Sequence, residues 1–321
     1  MANTEVVYGT DGRRDWSILT AKYLLEQYQQ GETLGYEEEM RLIGEFIAKS
    51  KDARNIYGKP AIIPYGGLES KSKSENLRVF KPENANGQVA IVIGGGYWRV
   101  PSILKDETNI EDEGDAWNDF PALGLLPHGV TVINIDYPVL PEARMADTVA
   151  SLQKAISHIY THAGELGIDK DKLNLIGHSA GGQLAALMVT LDIEGVPAEA
   201  IKSVTSVSGV PDIGFAANPN CHLRQGKGAI TITESDTENS SATYRTPKTE
   251  GKYAFLTGAE EPFEFQWQSQ RAAEQWASRG ADSHYEPVEQ TNHYTLFGQL
   301  ADSTSFLTRY VLEQMGVPMQ A

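Results

Sequence analysis

The residues best suited to do chemistry are Gly177-His178-Ser179-Ala180-Gly181, a serine with glycines two positions before and two after it. The glycines permit a tight, strained turn that lifts the hydroxyl clear of the backbone. Once a base removes its proton, such a hydroxyl attacks a carbonyl carbon, and the amide of Ala180 points at the negative charge that develops. Leu173 to Ile176 before the motif is a short apolar run that reads as a strand, and the Ala/Leu run ending at Met188 reads as a helix. Strand, sharp turn and helix together set this pattern apart from a Gly/Ser turn that merely caps a helix, so Ser179 is the expected nucleophile.

A serine nucleophile needs a base, and the base needs an orienting carboxylate. When strands alternate with helices and the serine sits at a strand-to-helix elbow, the expected chain order is serine, acid, histidine. Of seven histidines only His222, His284 and His293 come late enough. His284 falls within the last expected strand, where the sheet would fix its side chain. His293 lies just beyond, in Gln290-Thr291-Asn292-His293-Tyr294, at the carboxyl end of the sheet where ligands bind in such folds. For the acid, Gly258-Ala259-Glu260-Glu261-Pro262 follows the preceding strand; Glu261 is preferred, with Glu260, Glu264 and Asp212 as the alternatives.

The tetrahedral oxyanion needs a second set of amide donors. Val89 to Ile93 is a continuous apolar run, as a strand buried on both faces should be, and it ends in Gly94-Gly95-Gly96-Tyr97-Trp98. Three glycines there let the backbone approach a ligand closely, so Gly95, Gly96 and Ala180 are the expected oxyanion-binding residues. Tyr97, Trp98, Tyr137 and Tyr294 are expected in the wall of the substrate pocket.

The elements that must position these groups are legible in outline. Apolar residues at helical spacing suggest amphipathic helices near 15–30 and 36–50, either packed behind the main sheet or acting as a lid over the site. Strands are expected at 62–65, 77–80, 89–93, 130–137, 173–176, 201–208, 252–258 and 284–288, with helices from 142 to about 162, from 265 to 278 and from about 294 to 315. This gives an N-terminal helical extension or lid over 1–53 and a catalytic α/β domain over 54–321. The Ser-, Thr-, Asn- and Gly-rich stretch from Pro211 to Glu250 is expected to run over the catalytic edge, with no fold readable in it. The acidic segment from Asp106 to Asp119 is expected to be a solvated loop. His158 and His162 share a helix face but lack the adjacent Glu of a zinc-protease helix, so no metal is expected.

Composition narrows the function further. The chain has 321 residues and a formal charge of −16, which disfavours partners that want a basic face, so neither nucleic acid nor an anionic membrane is expected. Cys221 is the lone cysteine, so no intrachain disulfide can form. The amino terminus has no basic segment followed by an apolar one, and no apolar run approaches about 18 residues, so a cytoplasmic protein is expected. The expected partner is a small-molecule acyl substrate; a homodimer is left open, and no cofactor is expected.

With these motifs in hand, the chain from about Arg54 onward resembles the α/β-hydrolase superfamily, and within it the arylformamidase (kynurenine formamidase) and carboxylesterase branch. Asn55-Ile56-Tyr57-Gly58 is similar to that branch's Tyr-Gly step, and Leu77 to Pro82 to its Leu-Asp-Val-Tyr-x-Pro strand. Gly94 to Trp98 resembles its His-Gly-Gly-Tyr-Trp loop, and Asp136-Tyr137 through Pro141-Glu142 its Tyr-Arg-Leu-x-Pro-Glu segment. Gly258 to Phe265 is similar to its Gly-x-x-Asp-Ser-Pro-Glu-Phe stretch, which places Glu261 on the acid. The resemblance implies a mostly parallel eight-stranded sheet flanked by helices, and a serine hydrolase acting on a small-molecule ester or aryl formamide. A thioesterase, an acyl transferase or cyclase, and a non-catalytic receptor on the same fold are the alternatives. Two departures stand out. Ile93 or Gly94 replaces the histidine that opens the oxyanion motif, so the loop donors are Gly95 with Gly96 or Gly96 with Tyr97, and Glu replaces Asp as the acid.

Overall fold

The computed structural model of the chain describes residues 6–66, 74–99, 116–226 and 228–318. Eight strands form one sheet: β1 (Ala61–Pro64), β2 (Asn76–Phe80), β3 (Val89–Ile93), β4 (Thr131–Asp136), β5 (Leu173–His178), β6 (Ile201–Val207), β7 (Lys252–Gly258) and β8 (Asp282–Val288). Their order across the sheet is β1-β2-β4-β3-β5-β6-β7-β8. The first two strands pair antiparallel, β2 also meets β4 antiparallel, and every later pairing is parallel. The eight strands expected from apolar runs correspond to these eight.

The central run of β3 is apolar throughout because both faces of the sheet are covered there. Val89, Ile91 and Ile93 of β3 join one buried cluster, while Ala90 and Val92 between them join the other. Tyr253 and Phe255 of β7 divide from Ala254 and Leu256 in the same way. This alternation is the two-residue period of a strand expressed as two cores.

The principal helices are α1 (Ala21–Tyr28), α2 (Gln30–Leu34), α3 (Tyr36–Tyr57), α4 (Met145–Thr161), α5 (Ala180–Met188), α6 (Phe263–Ser278), α7 (His293–Gly298) and α8 (Phe306–Gln314). The first cluster takes Leu152 and Ile156 of α4, the apolar face of α5, and Phe265 and Trp276 of α6. The second takes Leu42 and Phe46 of α3, Leu296 and Phe297 of α7, and Leu307 and Val311 of α8. The closing helix expected over 294–315 is therefore two helices, broken by a short turn at Gln299–Ala301. Helix α3 runs seven residues past the expected end at 50, stopping only where Gly58 takes a φ of 81°. No helix among the described residues is long and apolar enough to cross a membrane.

Two expectations about loops need correction. Most of the acidic segment lies outside the described residues, but Asp119 is fully buried, not solvated. It accepts hydrogen bonds from Nε of Arg54 at 2.7 Å and Nε of Arg78 at 3.0 Å, tying α3 to β2. The stretch from Pro211 to Glu250 is packed too: it includes short helices at Gly214–Ala217 and Glu234–Ser240, and its Phe215, Leu223, Ile230 and Ile232 are buried in the first cluster.

Candidate active site

Ser179 joins β5 to α5 as a single residue with φ 55° and ψ −121°. A side chain rarely adopts this conformation, and holding it costs on the order of 1–3 kcal/mol. The surrounding glycines explain why the turn closes so tightly. A Cβ on Gly177 would lie 2.1 Å from the carbonyl oxygen of Gly181, and one on Gly181 would lie 2.1 Å from that of Ile93. Ala180 opens α5, so its N–H is one of the first-turn donors with no acceptor inside the helix.

The parallel register of β3 on β5 pairs Ile93 with Gly177, so the glycine loop and the serine elbow leave the sheet side by side. Gly95 reaches the elbow: a Cβ there would sit 2.8 Å from the His178 carbonyl oxygen and 2.9 Å from Cβ of Ser179. Beyond it, Gly96, Tyr97 and Trp98 have φ of 115°, 57° and 57°, an unusual run of positive values that bends the loop back over the sheet edge. Hydrogen bonds fix this shape. The Tyr137 hydroxyl donates to the Gly94 carbonyl at 2.7 Å. The indole of Trp98 donates to Oε1 of Gln183 at 2.8 Å, and Nε2 of Gln183 donates to the Ser240 carbonyl at 2.7 Å. Trp98 is thus a core residue, only 1% exposed, that buttresses the loop from below instead of lining a pocket. Tyr137 is likewise buried and engaged with the loop backbone.

His293 is the first residue of α7, a position set by Asn292, whose Oδ1 accepts from the amides of Tyr294 and Thr295 at 3.0 Å. Its Nδ1 donates to Oε2 of Glu261 at 2.8 Å. The other oxygen of Glu261 accepts from the Ser208 hydroxyl and from the amide of Gly258, both at 2.6 Å. Both partners are buried, His293 at 4% and Glu261 at 5% exposure. The His178 ring lies 4.8 Å from that of His293 and donates through Nε2 to the His293 carbonyl at 2.9 Å. The residue before Ser179 therefore holds the helix start that carries the imidazole. Burial, and after it the neighbouring charge of His293, keeps the His178 ring well below the usual imidazole range.

The other acid candidates are placed elsewhere. Glu260 is exposed. Glu264 binds the Arg14 guanidinium through both oxygens, one of them at 2.6 Å from Nη2, and also accepts from the Tyr23 hydroxyl at 2.6 Å. Asp212 accepts from the Trp16 indole at 3.0 Å and the Tyr244 hydroxyl at 2.7 Å. His284 stays in β8 against the Tyr310 hydroxyl, and His222 packs edge-on to Tyr97.

The N-terminal helices straddle the two roles considered for them. Phe46 of α3 sits in the second cluster and also packs edge-on against His178 and Tyr294. Tyr97 donates through its hydroxyl to the Tyr28 carbonyl at 2.9 Å and accepts from the Gln30 amide at 3.4 Å, while the Tyr294 hydroxyl donates to Glu39 at 2.7 Å. Burial raises the Tyr97 and Tyr294 hydroxyls above their ordinary range, so both remain protonated donors.

Sequence reasoning missed Ser208, His178 and Gln183. The first two carry a readable signal, since Ser208 directly follows β6 at the catalytic edge and His178 sits inside the elbow motif itself. Gln183 has none, being a polar residue on a helix that reads as wholly apolar.

Residues 77–215 match the BD-FAE family. The chain is similar to a kynurenine formamidase of Danio rerio, 25% identical over 316 residues that cover 94% of this chain and 99% of that protein. It is also similar to an arylesterase of Saccharolobus solfataricus, 32% identical over 111 residues, 34% of this chain and 33% of that protein. Among solved structures, a thioesterase candidate from Silicibacter sp. superposes with a TM-score of 0.72 at 22% identity, covering 88% of this chain and 97% of the other. An esterase from Pyrobaculum calidifontis gives 0.64 at 14% identity, covering 87% and 94%. The chain has the α/β-hydrolase fold of these esterases, and the relatives it matches are ester and arylformamide hydrolases.

Proposed function

We propose that the protein hydrolyses a small-molecule ester or aryl formamide through an acyl-enzyme, with Ser179 as nucleophile, His293 as general base and acid, and Glu261 as the orienting carboxylate. The observation that carries this reading is the buried His293–Glu261 hydrogen bond at 2.8 Å, formed at the sheet edge where the Ser179 elbow and the Gly95 loop also meet. Because Nδ1 donates to Glu261, the lone pair of Nε2 is free to take the serine proton. Oγ of Ser179 then bonds to the carbonyl carbon, and the amides of Ala180 and of Gly95 with Gly96 receive the oxyanion. As the tetrahedral intermediate collapses, the bond to the alcohol or arylamine breaks and His293 returns the proton to it. Water attacks the acyl-serine by the same route in reverse, freeing the carboxylic acid and restoring Ser179.

Near-complete coverage of a kynurenine formamidase at 25% identity favours an aryl formamide among the possible substrates. The N-terminal helices serve in this reading as the roof of the site. Steady-state assays with an aryl formamide, a p-nitrophenyl ester and an acyl thioester test it. Turnover of the formamide or the oxygen ester is expected, abolished in Ser179→Ala; failure of both substrates would sink the proposal.

A further inference from the structure

We propose that Gln30 and His222, both neighbours of Tyr97, form a polar subsite that selects substrates carrying a second carbonyl oxygen beyond the group being cleaved; this rests on the hydrolase reading above. Tyr97 leaves the glycine loop two residues after Gly95, which abuts Ser179. At its hydroxyl end is Gln30 of α2, whose backbone amide donates to the Tyr97 oxygen. At its flank is His222, edge-on at 6.1 Å with the planes at 87°.

What singles these residues out is unmet hydrogen-bonding capacity. Nε2 of Gln30 and both ring nitrogens of His222 are buried atoms with no hydrogen-bond partner among the described residues. Gln30 is only 2% exposed as a whole residue. Folded proteins almost always partner such groups, and at a candidate active site the natural missing partner is a ligand. Their chemistry narrows what that ligand carries. The Gln30 amide end is a pure donor, so it calls for an acceptor oxygen. Burial and the nearby Arg99 charge pull the His222 imidazole down to about 4, which leaves it neutral near pH 7, with one nitrogen to donate and one to accept. A cation has no acceptor to offer Gln30 and would face Arg99. A keto, ester or amide carbonyl accepts from both residues. The three side chains come from α2, the glycine loop and the 211–250 stretch.

Two matched pairs of esters test the subsite. p-Nitrophenyl levulinate against p-nitrophenyl 4-methylpent-4-enoate asks whether a ketone oxygen is recognised on the acyl side. 2-Acetylphenyl acetate against 2-isopropenylphenyl acetate asks the same of the leaving group. The wild-type kcat/KM should favour the carbonyl-bearing member of at least one pair by about tenfold or more, since a site built to hydrogen-bond a substrate group discriminates strongly against its isostere. In Gln30→Met and in His222→Phe that ratio should shrink to about threefold or less, each rate being taken within the same variant. The wild-type ratio needs no variant, so misfolding of either one leaves the test intact. No preference in either pair, or a preference that both folded variants retain, overturns the subsite. Turnover of p-nitrophenyl acetate and of an aryl formamide reports separately on the hydrolase reading: failure of both overturns both proposals, whereas turnover without carbonyl preference overturns the subsite alone.

Discussion

Nδ1 of His293 donates to Oε2 of Glu261 at 2.8 Å, while the second oxygen of the same carboxylate is held by Ser208 and by the amide of Gly258. Three donors on one buried carboxylate fix its plane, and through it the tautomer of the imidazole. Glu261→Gln should therefore reduce kcat by about 10²- to 10⁴-fold with little change in KM, because it disturbs the tautomer without emptying the site. Ser208→Ala removes one supporting bond of about 1 kcal/mol and should cost about fivefold in kcat. Steady-state kinetics on the preferred ester or formamide checks both.

The positive φ of Ser179 makes opposite demands on stability and activity. Ser179→Gly should abolish turnover and raise stability by about 1 kcal/mol, since glycine holds this backbone conformation without steric cost but loses more chain entropy on folding. Thermal melting of the variant beside wild type measures the gain; a lower melting temperature would mean that the elbow is not strained.

Gly95 carries no positive φ, so its substitution tests contact alone. The Cβ of Gly95→Ala would lie 2.8 Å from the His178 carbonyl oxygen, and the loop must retreat from Ser179 to admit it. A loss of about 10²- to 10³-fold in kcat is expected, comparable to losing one oxyanion donor. A Gly95→Ala enzyme with wild-type kcat would remove this loop from the oxyanion site.

Arg14 and Glu264 form a buried pair, 4% and 0% exposed at their side chains, that ties the N-terminal segment to the first turn of α6. Arg14→Met should destabilise the protein by about 3–5 kcal/mol, because it leaves a carboxylate buried without its charge partner. The double variant Arg14→Met with Glu264→Gln should recover a good part of that loss. Urea unfolding of the two variants is the measurement.

Two buried histidines set the acid limit of the fold. Burial lowers His178 well below its ordinary 6.5 and brings His222 to about 4, whereas unfolding exposes both rings to protonation near 6.5. The unfolded chain therefore binds more protons below pH 6.5, and stability falls as pH drops from there toward 4 and rises again as pH is raised. Above pH 6.5 these two groups contribute no slope. In His222→Phe the urea midpoint should fall less steeply between pH 6.5 and 5, by at most about 1.4 kcal/mol per pH unit in free energy.

The strands and the chemistry were legible because each has a local signature. β3 is apolar at every position and β7 from Tyr253 to Leu256, since both faces are covered there, and the elbow needs its glycines within two residues of Ser179. The expectation of His293 rests on chain order and its place just beyond the last strand, and that of Glu261 on chain order and the family resemblance. What lay hidden depends on contacts between distant residues. Arg14 and Glu264 are separated by 250 positions, and neither charge carries a mark of burial. Only Ala53 is buried in the last two turns of α3, so the apolar period fades before the helix ends. The 211–250 stretch buries Phe215, Leu223 and Ile232, but its helices span four to seven residues, too short to show any period. Trp98 shows the limit of residue type: an aromatic beside a glycine loop can wall a pocket or prop the loop, and its hydrogen bond to Gln183 shows the prop, whereas Tyr137 both holds the Gly94 carbonyl and lines the cavity beside Gly94 and Gly95.

The most direct test of the central claim is the site and rate of labelling by a fluorophosphonate, read by peptide mass spectrometry on wild type, Glu261→Gln and His293→Ala. The account predicts a single modified residue, Ser179, labelled in step with loss of hydrolysis and slowed by at least about 10²-fold without the imidazole. Complete inactivation with Ser179 unmodified, or labelling of Ser179 at the wild-type rate in His293→Ala, would contradict it.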